Sequence, residues 1–326
     1  MAACTAFIWS GRAAYRLRAA GYEAILVPSL GANVISLKAA DGAADILRTP
    51  PDDRALLSDP YVYGMPILFP ANRVAGGCYS WDGVTYRFPC NFPNDVHIHG
   101  VLHNRALPVE DFGADEHRAW CRVALDTDTD ESLRQSFPLP MRISLEISLS
   151  AEGLAHRFTV ENRSDRGIPV GLAYHTAFNV GFCGDEGNIS LHVPLAARCT
   201  DDPVNRLPNG DTQPLDEYES RIASPQGAHP LESVLDYLYT ATPDSSDMRM
   251  RDSARGLEVV YRAGADDRYW ILWNRTAAEG FICVEPQTWL SDAMHRPSPR
   301  DLGAIIVEPN QRWTNECQLF LRSVKD

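Results

Sequence analysis

The sequence predicts an all-β protein, and three observations carry that prediction. Period-two alternation recurs along the chain, most cleanly at 142–150, where Ile143, Leu145, Ile147 and Leu149 share one face. Asp-Gly dipeptides flanked by β-forming residues stand at Asp41-Gly42 and Asp82-Gly83, the strongest short-range hairpin signal. No amphipathic helical stretch runs beyond about three turns, and residues 232–239 are the best helical candidate. No low-complexity linker and no short internal repeat divides the chain, so residues 1–326 read as one large domain.

Taken in order, residues 23–47 read as strands interrupted by a Gly-Ala-Asn break and the Asp41-Gly42 turn. Residues 57–70 are less regular, and Pro66 and Pro70 speak against a helix there. Residues 77–81 and 84–88 form a hairpin, and the polar loop 91–95 delivers the chain to His97-Ile98-His99-Gly100. Residues 142–150, 154–162 and the strand opening at 168 read as a three-strand antiparallel meander. Further β-like runs lie at 189–197, 257–262, 269–274, 281–285, 304–307 and 317–322. Residues 201–233, rich in Pro, Asp, Asn and Gly, read as a long excursion over the surface.

Composition narrows the partners. A formal charge of −13 disfavours nucleic acid and anionic membranes, both of which are polyanions. The eight cysteines show no metal-like spacing and several sit in apolar runs, where a thiol acts as a small core residue. With no secretory core at the N-terminus and no membrane-length apolar run, the expectation is a reduced, cytoplasmic protein, monomer or homodimer, with no nucleic-acid or membrane partner.

The chemistry centres on residues 168–180, IPVGLAYHTAFNV. Alternation puts Val170, Leu172 and Tyr174 on one face and Gly171, Ala173 and His175 on the other. A face paved with Gly and Ala leaves space beside the imidazole, as a small-molecule site requires. The plain alternative is a core histidine beside closely packed backbone.

At 97–100, two histidines project to the same face of an extended backbone, and Gly100 permits a close approach or a sharp turn. That pattern suits a structural pair, a metal chelate or polar contacts to a sugar. A cupin-type metal set would need a Glu shortly after the His-x-His. His103-Asn104 stands there instead, although His175 and Asn179 have the spacing of the second cupin motif. The run at 281–285 ends on Glu285, a charge that is costly there unless paired or given a task. Glu308 presents the same local pattern, so spacing does not choose between them. Asn72-Arg73 offers a fixed fork for hydroxyl or carboxylate oxygens. There is no GxSxG elbow, P-loop, dinucleotide fingerprint or HExxH.

Four stretches then line up in order: 64–74 (GMPILFPANRV), 96–102 (VHIHGVL), 169–179 (PVGLAYHTAFN) and 281–293 (FICVEPQTWLSDA). Together they resemble the aldose 1-epimerase (galactose mutarotase-like) family, over about residues 24–313. The resemblance implies a β-supersandwich of large antiparallel sheets with few short helices. It implies His175 as general acid and Glu285 as general base, which decides between Glu285 and Glu308. His99 falls on the histidine near the sugar ring oxygen and Arg73, preceded by Asn72, on the hydroxyl-binding arginine. Asp236, in LDYLYT, falls on the sugar-binding aspartate. Val101 replaces a glycine that galactose-active members often carry, and 201–233 has no counterpart.

The expected activity is therefore interconversion of α and β anomers of a hexose or related sugar, with no cofactor, no metal and a bell-shaped pH dependence. The alternatives are a hexose-6-phosphate 1-epimerase, a metal-dependent cupin-like enzyme and a non-catalytic sugar-binding module. His97 has no assigned role.

Overall fold

The computed structural model describes residues 1–324. Strands make up 49% of the structure against two α-helices among the described residues, Asp53–Ser58 and Glu217–Ala223, so the all-β expectation holds. Three antiparallel sheets dominate. The first is a five-stranded meander of Ala3–Trp9, Arg12–Ala19, Tyr22–Val27, Asn33–Ala39 and Ala44–Asp45.

The second sheet has eight strands, in the order Val109–Ala114, Ala119–Asp126, Met141–Ser150, Gly153–Asn162, Arg312–Ser323, Leu257–Arg262, Asp247–Asp252 and Ile189–His192. The third carries the candidate site. Its order is Pro208–Gln213, Leu195–Asp201, Asp236–Ala241, Tyr269–Trp273, Phe281–Gln287, Ala173–Tyr174 and Ile67–Leu68, with Thr176–Asn179 also paired to Phe281–Gln287.

One apolar cluster runs between the sheets. It includes Leu17 and Leu37 from the first, Leu145 and Phe158 from the second, and Tyr174, Leu272 and Val284 from the third. Met141–Ser150 alternates between buried and half-buried side chains, as its sequence predicts for a strand with one face on the core. Phe281–Gln287 is buried at every position. Both of its faces are covered, which is why it reads as an unbroken apolar run that ends on polar groups.

Several expectations are corrected. The strands Ala3–Trp9 and Arg12–Ala19 lie outside the predicted elements, because the first buries no position fully and the buried positions of the second, Ala14, Leu17 and Ala19, do not keep a spacing of two; Ser10 and Gly11 (φ 46° and 82°) form the turn between them. The predicted meander breaks after its second strand. Gly153–Asn162 pairs with Arg312–Ser323, while Ile168–Val170 pairs with Ile305–Val307. Residues 232–239 are not helical, for Asp236–Ala241 is a strand between two others. The excursion 201–233 is partly ordered structure, containing the edge strand Pro208–Gln213 and the helix Glu217–Ala223 under an Asp216/Glu219 capping box.

The stretch 168–180 is also not one strand. It consists of Ile168–Val170, Ala173–Tyr174 and Thr176–Asn179. The space expected above Gly171 is occupied by an indole: a Cβ built on Gly171 would lie 2.1 Å from Trp289 Cδ2. Glycine is required there by close packing, not by an open pocket.

Beneath the site sheet, His156 is buried against the Tyr174 ring (centroids 5.0 Å apart) with no hydrogen-bond partner for either ring nitrogen. Burial pushes its imidazole from the ordinary 6.5 down to about 3. The unfolded chain therefore binds the proton more readily, and this contribution to stability is lost as pH falls from 6.5 toward 3. His156→Leu is expected to be more stable than wild type by about 2 kcal/mol at about pH 5, with a smaller gain at neutral pH. Urea unfolding of both proteins at the two pH values checks this, and an unchanged acid-side slope contradicts it.

Candidate active site

Strand register brings the central pair together. Thr176 pairs with Val284 and Ala173 with Gln287, so the break at His175 sets its imidazole opposite Glu285 on the neighbouring strand. His175 N–H donates to Pro66 O (2.9 Å), which holds the break in place. His175 Nε2 then lies 3.1 Å from Glu285 Oε1, and both side chains are buried. The contact is close but not aligned as a hydrogen bond, so Glu285 Oε1 has no hydrogen-bond partner among the described residues; His175 Nδ1, the other ring nitrogen, has none either.

Arg73 and His99 arrive from a two-stranded ladder in which Ile98 pairs with Arg73. His99 N–H donates to Asn72 O (2.9 Å). Asn72 links the arginine to the central strand: its Oδ1 accepts from Arg73 Nη1 (3.2 Å) and its Nδ2 donates to Gln287 Oε1 (3.4 Å). Gln287 lies two residues beyond Glu285 and so on the same side of its strand. The role of Asn72 that these bonds support is orientation of Arg73. Gly100 permits the approach of this ladder, since a Cβ there would fall 2.3 Å from the Phe69 backbone.

The two histidines of the His-x-His do not share a face, which corrects the extended-backbone expectation. His97 stays in the strand, packs on Phe88 and places Nδ1 2.7 Å from Pro89 O. His99 has a left-handed backbone (φ 69°) that turns its ring toward the cavity, edge-on to His175 (5.2 Å) and against Tyr61 (4.3 Å). A cupin-type chelate from 97 and 99 is therefore not assembled. Among the described residues, a grouping with metal-ligating atoms within 4.8 Å of one another is His175, Cys283 and Glu285. It contains none of the His-x-His, and the Cys283 thiol is already directed at Tyr61 O (3.5 Å).

Asp236 sits at the start of its strand, where it pairs with Trp273, and lines the same cavity as Arg73, His99, His175 and Glu285. All five residues singled out with Asn72 thus face one hollow. Others were missed. Tyr61 follows the short helix, and its hydroxyl is 3.0 Å from His103 Nε2. Trp273 stands edge-on to His175 at 5.7 Å. Asp201 and Arg206 come from the supposed excursion. An aromatic next to the end of the run at 269–274 was a usable signal for Trp273, whereas nothing local marked Arg206.

Electrostatics follow from burial. Desolvation pushes His175 down to about 3 and Glu285 well above the usual carboxylate range; Asp236 adds to that rise and Arg73 opposes it. Both groups are driven toward their neutral forms, so the pair holds one proton between them over a wide pH range. Burial also pushes His99 well below 6.5. Arg73, His99, His175 and Glu285 each carry a buried polar atom without a hydrogen-bond partner. Such atoms are costly in a closed core and natural in a site that a polar ligand fills.

Three cavity residues other than glycine have left-handed backbones: Asn72 (φ 54°), His99 (φ 69°) and Arg206 (φ 58°). Strain of this kind persists where surrounding structure demands a particular side-chain direction.

Comparison with known proteins bears on the family and the fold. Residues 13–319 match the family model described as aldose 1-epimerase. A galactose mutarotase-like protein from Clostridium acetobutylicum superposes with a TM-score of 0.91 at 28% identity, covering 98% of each chain. A galactose 1-epimerase from Lactobacillus acidophilus NCFM gives 0.75 at 15% identity, covering 99% of this chain and 98% of that one. A galactose mutarotase-like protein from Lactobacillus casei gives 0.71 at 20%, covering 95% and 100%.

Proposed function

This chain belongs to the aldose 1-epimerase family, and from that premise we propose that it interconverts the α and β anomers of a neutral aldose, with Glu285 as base and His175 as acid. The observation that carries the reading is the buried imidazole–carboxyl pair, 3.1 Å apart, in a cavity whose other walls supply Arg73, His99 and Asp236.

In the reactive form the shared proton sits on His175 and Glu285 is a carboxylate, a state that the Arg73 charge favours. Glu285 accepts the proton of the C1 hydroxyl while His175 gives its proton to the ring oxygen. The bond from C1 to the ring oxygen breaks and the C1 carbonyl forms. Rotation about C1–C2 presents the other face, and closure reverses both transfers, so each group ends as it began. A module that only bound sugar would gain nothing from burying an acid beside a base.

The rim supports a neutral sugar over its phosphate ester. Arg275 is paired with Asp59, and Arg206 with Asp201 and Asp236, which leaves Arg73 as the cavity arginine without a carboxylate partner among the described residues. The eight cysteines are unpaired, which supports a reducing, cytoplasmic setting. No helix among the described residues is long and apolar enough to cross a membrane. With all three sheets contributing to one core, we take residues 1–326 to work as one domain.

NMR exchange between anomers across a panel of aldoses and their 6-phosphates tests the proposal. The expected result is acceleration for free aldoses and little for phosphates; no acceleration for any sugar contradicts it. The pH dependence gives a second check. The pair must hold exactly one proton, so kcat/KM is expected to fall on the acid side as His175 takes up a second proton and on the alkaline side as Glu285 loses the first. Because burial drives these two groups apart, a broad plateau is expected between the limbs. A single-limbed profile contradicts the assignment.

A further inference from the structure

We propose that Arg206 is a positioning residue for the sugar site, holding the Asp236 carboxylate in the orientation that accepts a sugar hydroxyl. The proposal rests on the anomer-exchange reading for its substrate class. Its geometry stands independently of that reading.

Arg206 is delivered by a turn that the local sequence builds. In residues 202–207, Asp202 Oδ1 accepts from Val204 N–H (2.8 Å) and Asn205 N–H (3.1 Å), and Asp202 O accepts from Arg206 N–H (2.8 Å). Asn205 Oδ1 accepts from Leu207 N–H (3.0 Å), and Asp202 N–H donates to Leu207 O (2.9 Å). Short polar side chains that bond their own backbone make such a turn stiff before any ligand arrives. Pro203 adds a fixed φ within it.

The turn closes with Arg206 left-handed, a conformation that costs any residue with a Cβ. What the strain secures is a guanidinium pointed across the cavity wall. Its Nε donates to Asp201 Oδ2 (2.6 Å), Nη1 to Asp236 Oδ2 (3.0 Å) and Nη2 to the backbone O of Asp236 (2.7 Å).

Gripping both the carboxylate and the carbonyl of one residue fixes the side-chain torsion of Asp236, which a single ion pair would not do. Asp236 Oδ2 is thereby occupied, and Oδ1 makes no hydrogen bond to any described residue. That leaves one acceptor oxygen at a cavity wall shared with Arg73 and Glu285. The same pairing balances a carboxylate charge that otherwise opposes ionisation of Glu285. Asp201 completes the unit by holding the third edge of the guanidinium. The strand hairpin from Leu195–Asp201 to Pro208–Gln213 is thus part of the site, not a surface ornament.

The test uses Arg206→Gly and Arg206→Lys in the full chain. Glycine adopts the left-handed turn without strain, so Arg206→Gly removes the fork and spares the loop. Lysine keeps the charge and loses the fork. In anomer exchange, KM is expected to rise about tenfold to a hundredfold in both variants, with kcat within about threefold of wild type. Guanidinium ion added to the buffer is expected to lower KM for Arg206→Gly and to leave Asp236→Asn unaffected. A merely structural role would not produce that rescue.

KM within about twofold of wild type for Arg206→Gly overturns the proposal, as does a loss confined to kcat. Direct titration of glucose and galactose by NMR, reading Kd in the same proteins, gives an independent readout. If wild type binds sugar without exchanging anomers, the functional reading fails while the Kd ratio still decides the role of Arg206. If neither sugar binds wild type, both fall.

Discussion

Glu285→Gln is expected to lower kcat for anomer exchange by about 10²–10⁴-fold, with KM changed little. Glutamine has the shape of glutamate and fits the same slot on Phe281–Gln287, but its amide cannot take the C1 proton. The fold should not suffer. Burial already drives the Glu285 carboxyl toward its neutral form, so an uncharged replacement removes a desolvation cost and the thermal midpoint is expected to stay level or rise. That separation makes the variant informative, because a loss of rate in a fully folded protein reports on proton transfer. His175→Gln is expected to cost a similar factor, and the double variant little more than either alone, since the two groups act as a unit. Polarimetry on freshly dissolved sugar measures all three. A Glu285→Gln protein that equilibrates anomers at the wild-type rate removes Glu285 from the mechanism.

Gly171→Ala is expected to destabilise the protein by about 1–3 kcal/mol or more, a large effect for one methyl group. The added Cβ would meet Trp289 Cδ2 at 2.1 Å and Cε2 at 2.2 Å. The indole has little freedom to retreat. Its Nε1 donates to Ala71 O (3.0 Å), and Gln287 Nε2 donates to its backbone O (2.7 Å). Ala71 N–H in turn donates to Gly171 O (3.0 Å), so the clash lies inside a closed loop of bonds. Asn72 and Arg73 follow Ala71 directly, and a raised KM is expected to accompany the lost stability. Gly187→Ala, where a Cβ would meet only Asp185 Oδ1 at 3.4 Å, serves as the near-neutral control. Chemical unfolding of the three proteins decides the matter. Equal midpoints for wild type and Gly171→Ala would mean that the indole moves freely.

Much of the candidate site was legible without coordinates, for a reason specific to these residues. His175, Glu285, Arg73 and His99 each close or flank an apolar β-run, and a charged or titratable group at such a position stands out against its neighbours. The structure brings these four and Asp236 to one cavity. The reading of Gly171 failed because a glycine records that something comes close without recording what does. Ligand space and the Trp289 indole leave the same mark. The His-x-His reading failed because alternation assumes an extended chain, and the left-handed turn at His99 ends it one residue early. Arg206 could not have been found: its turn has no periodicity, and its partner Asp236 is 30 residues away along the chain.

The choice of Glu285 over Glu308 and the placing of Asp236 came from the family resemblance; by itself the sequence determined the all-β class, the strands whose burial alternates and the residue types of the acid–base candidates. Those properties depend on spacing of two residues and on side-chain type, both of which are local. Only the tertiary structure decided which strands became neighbours, and so that His175 lies 3.1 Å from Glu285, that His97 turns away and that Arg206 grips Asp236. Pairing joins segments far apart along the chain through backbone hydrogen bonds that every residue but proline offers alike, so the order of strands leaves little trace in any one of them.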